Sequence, residues 1–319
     1  MIMSLYISVV VCTYNRSDLL KSCLHSLNEQ TINRNQYEVI IVDNNSTDQT
    51  EEVANSFTKQ YINFRYCKEL KQGLSHARNR GYKEACGKYV AYVDDDCKLP
   101  EQWLAVAKEI IDKVSPSVLG GPFFPFYLTP KPLWFRDEYE SGQYIKSNVA
   151  HVLQQNEYLS GGNIFFQRVL LESLEGFDVN LGMSGKKMAY GEETALQKRI
   201  RNTKPDALIY YAPNLYAYHL VRPEKMVFKS IVRQRFTNGR YRWLVLQCDS
   251  SMEGQLHIFA KAVYALFAIV WKIIYGMFMR DRVQYPYFQN YFYECGLRHV
   301  VQMGQLYEQF KYLRKTRNM

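Results

Sequence analysis

Three consecutive aspartates, Asp94, Asp95 and Asp96, follow a short β-branched and aromatic run, Tyr89 to Val93. Such a run, opened by Gly87, reads as a buried strand. In an open α/β sheet, ligands bind just beyond the carboxyl ends of the strands. Carboxylates crowded there repel one another unless a cation shares them. Hard divalent ions such as Mg2+ or Mn2+ take oxygen ligands of this kind, together with substrate phosphates. The stretch therefore predicts a metal–diphosphate site; the plainer alternative is an acidic turn capping the helix beyond Pro100. Farther along, Gly191-Glu192-Glu193 opens a helix with Leu196 and Ile200 inward. Paired glutamates in a first turn complement the helix dipole. A carboxylate at a helix start beside a cleft can equally serve as a general base, and the residues alone leave both readings open. His219 closes an apolar stretch, YYAPNLYAYH, and reads as a half-buried histidine before it reads as a metal ligand.

The elements that must position these residues alternate regularly. Tyr6 to Val11 is a first strand, and Cys12-Thr13-Tyr14-Asn15-Arg16 is the loop leaving it. Ser17 can cap a helix whose apolar face is Leu20, Cys23, Leu24 and Leu27. Tyr37 to Val42 is a second strand ending in Asp43-Asn44-Asn45, and Asp48 with Glu51 forms a capping-box pair before a helix bearing Val53 and Phe57. Ile62 to Tyr66 is a third strand, and the basic segment Gly73 to Ala85 leads as loop and helix into the aspartate strand. Pro100 opens a helix with Trp103, Ala107, Ile110 and Ile111 on one face. This alternation predicts an α/β fold with a mostly parallel, doubly wound, Rossmann-like sheet flanked by helices. From Val118 the pattern loosens into Pro- and aromatic-rich loops. Leu181 to Ala189 reads as a mobile lid. Within it Gly185-Lys186-Lys187 lacks the Gly-x4-Gly-Lys-Ser/Thr spacing of a P-loop.

The chain has 319 residues, 47% of them hydrophobic, enough for a sizeable core. Its seven cysteines form no CxxC pair and no zinc spacing, which predicts a reduced, intracellular protein. The first residues lack a basic n-region and a cleavage site, so they read as a strand and not as a signal peptide. The net charge of +9 is unevenly placed: residues 1–219 carry 24 Lys+Arg against 25 Asp+Glu, and residues 220–319 carry 16 against 6, a balance of +10. An anionic partner follows for the tail, a membrane surface in preference to nucleic acid. Within that tail Gln255 to Met279 is apolar, but its longest charge-free run, Ala262 to Trp271, is shorter than the ~18–20 residues a span needs. Lys261 and Lys272 fall within ~20° of one another on a helix. A helix lying in the membrane interface is expected, with packing on its own domain, lysines outward, as the alternative.

Taken in order, VVVCTYNR, EVIIVDNNSTD, GLSHARNRGYKEACGKYVAYVDDD, LSGGNIFF and GEETALQKR resemble the blocks of the inverting family 2 glycosyltransferases of the GT-A fold. The resemblance covers residues 5–220. It implies a GT-A catalytic domain over 1–220, with a nucleotide-binding half over about 1–115 and an acceptor-binding half over about 116–220; the basic and apolar pattern of 221–319 adds a helical, membrane-associating region. It implies that Thr13, Tyr14, Asn15, Arg16, Asp43, Arg78, Asp94 and Asp95 bind the nucleotide sugar. Asp96, Asp94 and His219 would hold Mn2+ or Mg2+, and the Glu192–Glu193 pair would supply the catalytic base, Glu193 foremost. The activity implied is transfer of a sugar from a nucleotide diphosphate sugar, UDP-sugar foremost, to a glycan or lipid-linked acceptor in cell-surface polysaccharide synthesis. The setting would be cytoplasmic, peripheral at the inner membrane face, without nucleic acid. The rivals are a sugar-phosphate nucleotidyltransferase, whose first loop is usually glycine-rich, and a non-catalytic membrane-docked scaffold.

Overall fold

The computed structural model describes residues 5–140, 145, 147–185, 189–246 and 254–317, with backbone only at 315–317. The residues separate into two compact units: Met1–Phe126, Glu140–Lys187 and Glu192–Leu220 form one, and Tyr127–Tyr139, Met188–Gly191 and Val221–Met319 the other.

The first unit opens with β1 (Ile7–Thr13), α1 (Ser17–Asn28), β2 (Tyr37–Asp43), α2 (Thr50–Gln60), β3 (Phe64–Lys68), α3 (Leu74–Glu84) and β4 (Tyr89–Asp94). It continues through β5 (Cys97–Lys98), α4 (Trp103–Val114), β6 (Val118–Gly120), β7 (Phe123–Phe126), β8 (His151–Val152), β9 (Asn163–Gln167) and α5 (Arg168–Ser173). It ends with α6 (Glu192–Thr203), β10 (Ile209–Tyr211) and β11 (Ala217–Leu220). An eight-stranded sheet has the order β3-β2-β1-β4-β9-β6-β10-β8. Strands β3, β2, β1 and β4 run parallel, and β9 is antiparallel to both β4 and β6. Every residue of β2 is buried, as a central parallel strand covered on both faces requires. One face packs Val9, Ile41 and Ala91 against α1 and α4 through Leu24, Leu104 and Ile111; the other packs Val10, Ile40 and Tyr92 against α3 through Ala77. Helix α3 lies so close to β1 that a Cβ at Gly81 would meet Val10 Cγ1 at 2.3 Å.

Chain order runs outward from β1 to β3, then returns to the other side of β1 as β4. That reversal leaves a crevice at the carboxyl ends of β1 and β4, the ligand position of open α/β sheets. A second sheet, β5-β11-β7, sits after β4, with β11 antiparallel to β5 and parallel to β7.

Local details differ from the sequence expectation. Ser17 is the first helical residue of α1 and not its cap; its amide donates to Asp48 Oδ2 at 3.1 Å. The Asp48–Glu51 capping box does not form, because Asp48 Oδ1 accepts the Thr50 amide at 3.1 Å and α2 starts there. The third strand begins two residues late, since a turn with Phe64 N donating to Tyr61 O leaves Ile62 exposed. Of the expected lid, residues 186–188 lie outside the described residues.

The second unit is helical: α7 (Phe228–Leu246), α8 (Gln255–Phe278), α9 (Phe288–Tyr291) and α10 (Leu297–Arg317), with a π-helical turn at Phe292–Gly296. Its core joins Phe135, Tyr139, Met226, Ile231, Phe292 and Leu297. Helix α10 packs between α7 and α8, and Arg240 of α7 meets Glu308 of α10 at 2.7 Å. Helix α8 corrects the tail reading twice. By length and composition it is long and apolar enough to cross a membrane: its most apolar stretch has a mean hydropathy of 1.8 and is 11% buried. Its lysine line faces inward: Lys272 Nζ lies 5.8 Å from the Tyr291 ring centroid, and Lys261 is partly buried. The packed side also carries Ile258, Ala265 and Gly276, so the lysines share the small-residue seam and the large apolar side chains point out.

Candidate functional site

The three aspartates leave β4 in different directions because a turn, and not a helix, follows the strand. Asp94 is the last strand residue; Asp95 and Asp96 are 2% and 5% exposed. Strand β11 comes back beside them. Leu220 N donates to Asp96 O at 3.0 Å, and His219 is in register with Cys97. This pairing carries a histidine more than a hundred positions away to the aspartates: His219 Nε2 stands 3.3 Å from Asp96 Oδ1 and 4.0 Å from Asp94 Oδ2. The Phe123 ring braces the imidazole edge-to-face at 5.3 Å.

Asp96, Cys97 and His219 present ligand atoms all within 4.8 Å of one another. Cys97 was not expected there; only the β5–β11 register reveals it. Burial first, then Asp94 and Asp96, hold its thiol well above the usual range. It therefore remains a neutral, apolar part of the core beneath the site. Two carboxylates and an imidazole, from Asp94, Asp96 and His219, are a donor set that hard to borderline divalent ions accept.

Asp95 turns the other way. Its Oδ1 accepts from Arg16 Nη1 at 2.9 Å, and the same nitrogen lies 3.7 Å from Asp96 Oδ2. Burial pushes the Asp95 carboxyl up to about 6 against the pull of Arg16. The loop carrying Arg16 is itself pinned. Asn15, in the left-handed region at φ 51°, accepts from Thr47 N at 2.7 Å, and its own amide donates to Ser46 Oγ at 2.9 Å. Thr13 is buried at the end of β1, opposite Asp43, while Tyr14 is exposed. Asp43 is wholly buried; its Oδ1 accepts from Ser46 N at 2.8 Å and its Oδ2 from the Tyr66 hydroxyl at 3.0 Å. Tyr66 was not singled out by the sequence, because its role depends on β3 lying beside β2.

On the other side of Asp94 lies Arg78, 4% exposed, its Cζ 5.9 Å and 5.4 Å from the ring centroids of Tyr92 and Phe177. Its Nη1 donates to Glu192 Oε1 at 2.7 Å, and its Nη2 is 3.7 Å from Asp94 Oδ1. Burial alone would lower the guanidinium's pKa, but Glu192, Asp94 and Glu193 hold it raised. Burial first, then the adjacent Glu193, push Glu192 up to about 8 in spite of Arg78. A cation among three carboxylates does not balance them, and the cluster's proton affinity rises, at Glu192 by burial and by Glu193. Glu193 is the more exposed of the two. Its Oε2 is buried and, among the described residues, finds no hydrogen-bond partner. The first turn of α6 thus supplies a carboxylate bound to arginine and a second with a lone pair to spare.

Two glycines complete the wall. A Cβ at Gly162 would lie 2.3 Å from Asp94 Oδ2, and one at Gly161 would lie 2.8 Å from Arg78 Nη2. Asn163 holds this corner: its Oδ1 accepts from Trp103 Nε1 at 3.0 Å, and its Nδ2 donates to Leu215 O at 2.8 Å. The Gly-Gly-Asn run before an apolar strand was the available sequence signal for these contacts. The structure thus gathers Arg16, Asp94, Asp95, Asp96 and His219, and links Asp94 through Arg78 to Glu192. Asp43 and Asn15 form a separate cluster along the same sheet edge.

Residues 8–174 match the family described as "Glycosyl transferase family 2". Glycosyltransferase AglE of Haloferax volcanii is 25% identical over 262 residues, covering 82% of this chain and 80% of that protein. A glucosyl-dolichyl phosphate glucuronosyltransferase of the same organism is 27% identical over 210 residues, covering 64% of this chain and 66% of that protein. Among solved structures, the mannosyltransferase PcManGT of Pyrobaculum calidifontis, in complex with GDP-Man and Mn2+, superposes with a TM-score of 0.58 at 16% identity, covering 93% of this chain and 72% of that one. S. aureus TarS 1–349 in complex with UDP superposes with a TM-score of 0.55 at 18% identity, covering 98% and 92%.

Proposed function

The chain belongs to glycosyl transferase family 2, and we propose that it is a metal-dependent, inverting enzyme that moves a sugar from a UDP-sugar to a hydroxyl of a glycan or lipid-linked acceptor. Family membership sets aside the nucleotidyltransferase and scaffold alternatives. The observation that carries the reading is the continuous polar chain at the sheet's switch point: His219 to Asp96 at 3.3 Å, Asp94 to Arg78 at 3.7 Å, and Arg78 to Glu192 at 2.7 Å. It joins residues fit for a metal and diphosphate to residues fit for proton transfer.

In this reading Thr13, Tyr14, Asn15, Arg16 and Asp43 line the nucleotide, and Asp94, Asp96 and His219 hold Mn2+ or Mg2+. When bound, such an ion would supply Lewis-acid stabilisation of a diphosphate leaving group. Arg78 adds fixed positive charge beside the same leaving group, held by burial against Tyr92 and Phe177 and by its bond to Glu192 so that little reorganisation is needed. Glu193 Oε2 accepts the acceptor hydroxyl's proton as its oxygen attacks the anomeric carbon; the carbon–diphosphate bond breaks on the opposite face, and the centre inverts. Glu192, held by its bond from Arg78, fixes the start of α6 and leaves Glu193 Oε2 to face the acceptor. PcManGT with GDP-Man and Mn2+, and TarS with UDP, support a nucleotide-sugar donor and a divalent ion. The relative acting on a glucosyl-dolichyl phosphate supports a lipid-linked acceptor, hence work at the cytoplasmic membrane face in cell-surface polysaccharide synthesis.

The test is nucleotide release from UDP-, GDP- and dTDP-sugars with Mn2+, with and without a polyprenyl-phosphate-linked acceptor, and anomeric analysis of the product. Acceptor-stimulated release of UDP with inversion is expected. Retention of configuration, or equal turnover in chelator, overturns the mechanism.

A further inference from the structure

Helix α8 exposes Leu256, Phe259, Phe267, Trp271 and Phe278 to 82%, 61%, 72%, 60% and 78%. At ~100° per residue its exposed large apolar side chains fall within an arc of ~160°. The helix's two charged residues, Lys261 and Lys272, lie on the opposite side. At ~1.5 Å per residue, its 24 residues extend ~36 Å, so length alone allows a span. Its partners decide otherwise. Ile258 and Ala265 pack on Leu306, Ile269 and Ile273 on the Phe288–Phe292 cluster, and Gly276 admits the Tyr291 ring. One side of α8 is therefore occupied along its length by α9, the π-helical turn and α10. Helix α10 carries Arg298, Gln302, Gln305, Glu308 and Lys311, with Glu308 tied to Arg240 of α7. A spanning α8 would drag these groups into hydrocarbon, where charge is strongly disfavoured. A helix lying in the interface leaves them in water.

We propose that α8 lies in the plane of an anionic leaflet, its outer face sunk into the headgroup–acyl boundary and α10 above it on the aqueous side. A second copy of the chain is the less complementary occupant. Residues 220–319 hold 16 Lys+Arg and 6 Asp+Glu, so a dimer would set +10 against +10, whereas anionic lipid neutralises it. This deepens the membrane side of the proposed function and rests on that reading only for the acceptor's location.

The experiment floats the full-length protein with phosphatidylglycerol-containing and pure phosphatidylcholine vesicles. Binding to the anionic vesicles is expected, weakening but persisting as salt rises. Phe259→Glu and Phe267→Glu, both at exposed positions, should each lower the partition constant at least about tenfold, with unchanged melting and unchanged lipid-free donor hydrolysis. Docking is thereby read apart from transfer. Depth is read with Phe267→Trp in a Trp271→Phe background, the parent serving as blank. An in-plane helix is quenched most by lipids brominated near the headgroup. Strongest quenching by lipids brominated near the chain ends would mean a span and overturn the proposal. Absence of flotation, or a lipid-free dimer in the ultracentrifuge that Phe267→Glu dissolves, would overturn it as well.

Discussion

Replacing Arg78 by Met removes a cation lodged among Asp94, Glu192 and Glu193 while keeping the length of the side chain. Arg78 is 4% exposed and donates to Glu192 at 2.7 Å, so water cannot easily replace it. Stripping one partner from a buried ion pair costs about 3–5 kcal/mol, because the other charge stays behind unpaired. Here the lower end applies: Glu192, already pushed up to about 8, takes up part of the imbalance as a bound proton. For a unit of this size, about 3 kcal/mol corresponds to a fall of ~6–12 °C in Tm. The loss should shrink as pH is lowered, since protonation of the remaining carboxylates relieves the repulsion. The assay is thermal unfolding by circular dichroism of wild type, Arg78→Met, Glu192→Gln and the double variant. Because Glu192→Gln removes the carboxyl that must stay protonated once Arg78 is gone, the double variant should melt at least ~2–4 °C above the sum of the single effects, a coupling of about 1 kcal/mol or more. Strict additivity, or a cost independent of pH, would refute the claim that this cluster is balanced by Arg78.

Asp96→Ala should abolish Mn2+-dependent binding of the nucleotide sugar while leaving the melting curve in place; unchanged donor affinity by calorimetry would remove Asp96 from the metal site. Glu193→Gln should keep donor binding and lose roughly 10²–10⁴-fold in turnover, the usual contribution of a general base. Glu192→Gln should be milder, and if it proves the dead variant the roles of the pair are reversed. Glu192 also sets a pH dependence of stability. Its carboxyl is raised in the folded protein to about 8, so the folded state holds a proton that the unfolded chain has lost over the window from the ordinary glutamate range up to that value. Wild-type stability should fall as pH rises through this window, and Glu192→Gln should fall less. Parallel Tm profiles for the two proteins would show that Glu192 is not the group retaining the proton.

The periodicity of the first hundred residues sufficed for the alternating strands and helices and for the carboxylates at the end of β4. Short apolar runs bounded by turn residues specify strands locally, and a strand end specifies a ligand position wherever the sheet is open. The family blocks, read in order, brought Arg78, Glu192, Glu193 and His219 under suspicion, but not their mutual geometry. That His219 meets Asp96, and that Cys97 lies beneath both, follows from the β5–β11 register, which pairs segments more than a hundred residues apart. Asp43 finding Tyr66, and Gly162 giving room to Asp94, likewise depend on neighbours in space that no local pattern encodes. The two missed caps have the same origin: Asp48 was claimed by Ser17 from another loop and by Thr50, so the box with Glu51 lost its partner. The tail shows the division most sharply. The sequence determined an apolar helix with two lysines on one line, but an amphipathic pattern does not say which face is covered. Only the packing of α9 and α10 decided that the lysine line turns inward, because small residues at Ala265 and Gly276 let Leu306 and Tyr291 approach on that side and left the bulky apolar face outside.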